Sequence, residues 1–265
     1  MRATIFKMIG HESLKTLSDW QLAPEITFPT LFILIWYVKT IRTLRTDSKT
    51  PLSNEKYFYF GIASILAVVL SPIGTHATNL FWCHMLQHMV LMMISGPLLV
   101  LGLHGVVVLK NVIFLRLTNP VFIWISYAST MVGVHFTGLH NFLMNGIWMH
   151  RLVEVPLYII VAYLFYYNLL DKKDKNRRIS HALSVICLFL MMIPETLTGF
   201  FIYVSPTSLY DGMFTLTDQR IGGSLMWAGS MVIDAIWISM AVSAWLKSEE
   251  REGERINAEI ASEKL

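Results

Sequence analysis
Two imidazoles and a thioether recur at four-residue spacing in Trp82-Cys83-His84-Met85-Leu86-Gln87-His88-Met89-Val90-Leu91-Met92-Met93. The segment lies inside a run from Leu80 to Leu103 that lacks Asp, Glu, Lys and Arg. On a helix the side chains at i and i+4 stack, so His84, His88 and Met92 form one stripe ~12 Å long at ~1.5 Å per residue. Such a histidine pair is, taken alone, either an interhelical polar contact or half of a metal site, zinc included. His84-Met85-Leu86-Gln87-His88 has the outline of an inverted zinc-protease motif, but Gln87 stands where that chemistry needs a glutamate general base. Most of the 15 methionines read as adaptable core filler. Met85, Met89, Met92 and Met93 surround the pair, however, and thioethers select Cu(I) while imidazole also accepts copper. Copper, as Cu(I), is favoured over zinc.

The elements that must position this stripe are membrane spans. Hydrophobic residues make up 54% of the 265, only 15% are charged, and the mean hydropathy is +0.53. Uncharged runs of ~18 residues or more imply an all-α, polytopic membrane protein. Seven helices are expected at about Ile26–Ile41, Tyr57–Ile73, Asn79–Leu103, Pro120–Gly138, Leu152–Leu170, Ser180–Val204 and Ile221–Leu246. Pro97, Pro156 and Pro194 fall inside them as candidate kinks. Val106–Leu117 is too short to span and reads as interfacial. Residues 1–25 form an N-terminal segment with no cleavable signal peptide, 26–246 the helical domain, and 247–265 a charged tail. No repeat or nucleic-acid motif occurs, and Cys83 and Cys187 form no CxxC pair.

Basic residues cluster in alternate loops: Arg42, Arg45, Lys49 and Lys56; Lys110 and Arg116; Lys172, Lys173, Lys175, Arg177 and Arg178; and Lys247. The other loops hold only Arg151 and Arg220. By the positive-inside rule the N-terminus lies outside and the C-terminus in the cytoplasm. His84 and His88 then sit ~7 and ~13 Å below the outer end of their helix. His135 with Met131 one turn deeper, Glu195, and Asp218 and Met226 come from other helices to the same outer layer. His76, His140 and His150 fall in outer loops, and Glu154 in the outermost turn of the fifth helix. Ionisable groups within spans are costly and point to function. Asp234, ~20 Å along the last helix, suits either a structural contact or an ion or proton path.

Two other readings follow from seven helices. Haem, with His88 and His135 as axial ligands, ranks below copper because the i,i+4 pair places both its rings on one side. A retinal protein needs a Schiff-base lysine in the last helix, and Ile221–Leu246 contains none.

His84-Met85-Leu86-Gln87-His88-Met89 with Gly96-Pro97-Leu98-Leu99-Val100-Leu101-Gly102 resembles the signature of the CtaG family of cytochrome oxidase assembly proteins, the seven-helix type of bacilli and actinobacteria. His135, His140 and Asp218-Gln219-Arg220-Ile221-Gly222-Gly223-Ser224-Leu225-Met226-Trp227 extend the match, which covers about Phe58 to Trp245. The resemblance implies a multi-pass protein of the bacterial cytoplasmic membrane. Its role would be to mature a haem-copper oxidase by handling copper on the outer face, without catalysing a reaction. It implies oxidase subunits or a copper chaperone as partners. The expected site is His84 and His88 as primary ligands, Met92 or Met226 as soft ligands, and Asp218, His135, Glu195 and His140 around them. The rival readings are a copper transporter, which needs a path continued by Met92, Met93 and Asp234, and a scaffold that binds oxidase subunits or haem.

Overall fold
The computed structural model describes residues 18–46, 55–103, 106, 116, 119–144, 146–170, 179–210 and 212–263. Among these the regular elements are all helices. They are α1 Pro24–Thr46, α2 Glu55–Leu70, α3 Phe81–Leu103, α4 Pro120–Phe136, α5 Ile147–Leu170, α6 His181–Val204 and α7 Leu216–Ser262. Short helices Pro72–His76 and Leu139–Leu143 precede α3 and follow α4. By length and composition α3, α5, α6 and α7 can cross a membrane, and α4 is a shorter apolar helix. The interfacial stretch expected at Val106–Leu117, apart from Val106 and Arg116, lies outside the described residues, as do Lys49, Lys110 and the basic run at 172–178.

α3 is the central helix, packed on α2, α5 and α7, with α4 against α5 and α6. Close approach sets one corner of the bundle. A Cβ on Gly102 would collide with the Phe58 backbone N, so only glycine lets α3 meet α2 there. Tyr37 of α1 stacks on Phe58 at 3.6 Å and donates its hydroxyl to Gly102 O at 3.0 Å, joining three helices. Large apolar side chains such as Phe28, Phe32, Phe189, Val232 and Ile236 point outward, while His84, His88, His135, Glu154, Glu195 and Asp234 are buried inside. This distribution suits an apolar solvent: lipid takes the apolar face, and polar groups stay within the bundle.

Three helices contain π-helical turns: Val90–Ser95 in α3, His150–Glu154 in α5 and Leu225–Gly229 in α7. Two have a proline as local cause. Pro97 has no N–H to give Met93 O, four residues back. Trp237 of α7 supplies the missing donor, its Nε1 bonding Met93 O at 2.8 Å. Pro156 follows the turn in α5 in the same way, whereas Pro194 leaves α6 α-helical throughout. Such turns gather at functional sites, and here all three surround one polar core.

Candidate metal centre
Four elements converge on a buried polar core. α3 contributes His84, Gln87 and His88 on one face, as their spacing requires. α5 contributes His150, Glu154 and Tyr158, α4 contributes His135, and the short helix Leu139–Leu143 contributes His140. All eight side chains are buried, none more than 3% exposed. The imidazoles form a chain of rings, with centroids 3.9 Å apart for His84–His88, 5.2 Å for His84–His140, 5.5 Å for His84–His150 and 5.9 Å for His88–His135.

Glu154 is the hub. Its Oε2 lies 2.6 Å from His150 Nδ1, and its Oε1 accepts from Tyr158 OH at 3.4 Å. His150 Nε2 lies 2.8 Å from Gln87 Oε1. His150 is thus engaged at both nitrogens, which orients the carboxylate. Glu154 Oε1 also lies 3.6 Å from His84 Nε2 and 3.4 Å from His88 Nε2. Hydrogen bonds of this type run ~2.7–3.2 Å, so both contacts are too long to be good ones. Two ligands each ~2.1 Å from a tetrahedral ion, however, stand ~3.4 Å apart. His84, His150 and Glu154 also bring one ligand atom apiece to within 4.8 Å of one another.

Both ring nitrogens of His84 are buried without a hydrogen-bond partner. An unsatisfied buried polar atom costs ~1–3 kcal/mol, and an ion between the imidazoles and the carboxylate would remove that cost. Two imidazoles and a carboxylate are a nitrogen and oxygen donor set, suited to a borderline divalent ion as well as to copper. The His140 ring packs at a tilt against Tyr210, with centroids 4.2 Å apart. Its burial pushes the imidazole down to about 4, against a smaller opposing pull from Glu154, so at neutral pH it is uncharged and presents a lone pair.

Beside this cluster lies a cavity of about 10 Å³ for the centre of a water-sized sphere, at the threshold for holding one water. It is lined by Met85, His88, Met89, Met92, Met93, Met131, His135, Glu195, Met226 and Ser230. The expected residues Met92, Met226, Glu195 and His135 therefore face one space. Glu195 accepts from Tyr127 OH at 2.7 Å, and Asp234 of α7 is its other neighbour.

Asp218 serves elsewhere. Its carboxylate accepts from Phe81 N at 2.6 Å and Trp82 N at 3.2 Å, so the residue expected in the metal shell instead caps the N-terminus of α3 from another helix. His150 and Glu154, expected in a loop and an outermost turn, are central. Their i,i+4 spacing in His150-Arg151-Leu152-Val153-Glu154 is the signal that could have singled them out.

A family model for the cytochrome c oxidase caa3 assembly factor matches residues 35–248, from α1 through most of α7. The chain belongs to that family. It is also similar to uncharacterized proteins of Mycobacterium leprae (strain TN), at 21% identity over 88% of this chain and 40% of the relative, and of Mycobacterium bovis and Mycobacterium tuberculosis, each at 19% over 91% and 41%. The chain thus spans about 40% of the length of these curated relatives. No solved structure matches it significantly. The motif at the head of α7 has a packing role. Gln219 takes Leu209 N and gives to Ile202 O, clamping the turn from α6. A Cβ on Gly223 would sit 2.7 Å from Tyr203 N.

Proposed function
We propose that this cytochrome c oxidase assembly factor holds copper at His84, His88 and Glu154 and passes it to a haem-copper oxidase subunit or to a copper chaperone. The observation that carries the reading is the pair of 3.4 and 3.6 Å separations around Glu154 Oε1, long for hydrogen bonds and right for ligands of one ion. The methionines beside the cluster favour copper over zinc, and an oxidase that contains copper needs it supplied. Holding and release, rather than catalysis, is the role we assign. A haem between His88 and His135 is disfavoured, because the cavity there has room for about one water and not for a macrocycle.

In this reading the chain crosses the bacterial cytoplasmic membrane seven times, with the N-terminus outside and the copper site in the outer third. Four helices long and apolar enough to span, α3, α5, α6 and α7, together with helices near the other expected positions, support the span count, and the alternating basic loops support the orientation. The function is tested in cells that lack their own copy and carry either wild type or His84→Ala/His88→Ala. The variant should lower the copper content of the membrane oxidase, and added copper should partly restore it. Oxidase copper equal to wild type would overturn the proposal.

A further inference from the structure
The cavity beside the cluster has its own donor set. His135 donates Nδ1–H to Met131 O at 2.6 Å; because a carbonyl only accepts, this fixes the tautomer and leaves Nε2 as a lone pair. Fixing an imidazole through its other nitrogen is the usual way a ligating histidine is prepared. Nε2 is buried without a hydrogen-bond partner, whereas Glu195 is shared with Tyr127 and Asp234. His135 and Glu195 both line the cavity, together with the thioethers of Met92, Met131 and Met226 from three helices. If methionine were only filling space here, the lone pair of His135 Nε2 would stay buried and unsatisfied.

We propose that this cavity is a second metal site, selective for Cu(I), adjacent to the His84, His88 and Glu154 site and different from it in ligand type. It rests on the reading of the chain as a copper-holding assembly factor. One imidazole and several thioethers are the soft set that favours Cu(I), whereas two imidazoles and a carboxylate do not discriminate in that way. His88 is the shared wall. Its Nε2 faces Glu154 at 3.4 Å, while its ring lines the cavity 5.9 Å from that of His135. An ion can therefore move from the nitrogen and oxygen site to the thioether site by exchanging ligands around one imidazole, without meeting water.

The test is metal stoichiometry on the full chain in detergent, with Cu(I) supplied anaerobically under ascorbate and Zn(II) supplied separately. Wild type should retain two Cu(I) and one Zn(II) per chain. Met131→Leu/Met226→Leu, a near volume-conserving change that cores tolerate well, should retain one Cu(I) and still one Zn(II). Glu154→Gln should lower Zn(II) binding and leave one Cu(I). A wild type with a single Cu(I), lost in Glu154→Gln and kept in the methionine variant, would overturn the second site while leaving the first intact. Absence of Cu(I) from wild type would overturn both.

Discussion
Replacing Glu154 by Gln tests the proposed site at its hub, because the side chain keeps its shape and loses its charge. Its carboxylate stands 2.6 Å from His150, 3.6 Å from His84 and 3.4 Å from His88. If it only oriented the imidazoles, its loss would weaken metal binding ~10–100-fold. As a ligand it also loses its attraction for the ion. One charge pair ~4 Å apart contributes ~4 kcal/mol at an effective dielectric of ~20, or roughly 10³-fold in affinity. Glu154→Gln should therefore raise the copper Kd by at least ~100-fold. The fold should survive, since the amide oxygen can still accept from His150. Glu154→Ala removes that acceptor and should destabilise the protein by a further ~1–3 kcal/mol. Competition titration against a chelator, with thermal unfolding in the same detergent, reads both quantities. A Glu154→Gln protein that binds copper within threefold of wild type would refute the assignment.

Two further outcomes separate structural roles from ligand roles. Asp218→Ala removes the cap from α3 and should lower stability by ~0.5–2 kcal/mol with metal retention unchanged in thermal unfolding and metal analysis, whereas a metal ligand would show the reverse. His140 titrates at about 4 in the fold against ~6.5 unfolded, so its contribution is complete above pH ~6.5 and is lost as pH falls. By pH ~5 the metal-free protein should be ~2 kcal/mol less stable on this account. His140→Phe should remove that part of the acid sensitivity when denaturation is compared at pH 7.5 and 5.

Hydropathy made the apolar helices legible, four of them long and apolar enough to cross a membrane, because a long uncharged run is costly to leave in water and cheap to bury in lipid as a helix. It misplaced the start of α5, which begins at Ile147 rather than Leu152. Arg151 and Glu154 lower the local hydropathy, yet neither is left uncompensated. Arg151 bonds Glu25 at 2.7 Å and also Gln21, near the entrance to α1, and Glu154 lies among three histidines. Compensation of this kind comes from residues far away in the chain. Asp218 shows the same limit: its type fits a ligand, but its partner is the N-terminus of α3, 137 residues away. By contrast, the shared face of His84 and His88 follows from helical spacing alone.

Copper retained by the purified chain is the most direct test of the central claim, compared between wild type and His84→Ala/His88→Ala prepared side by side. Both histidines are buried in the cluster, and His88 borders the adjoining cavity as well. Copper should stay bound through washing in wild type and be largely lost from the double variant, with the fold of each verified by thermal unfolding. Equal copper in two folded proteins would contradict it.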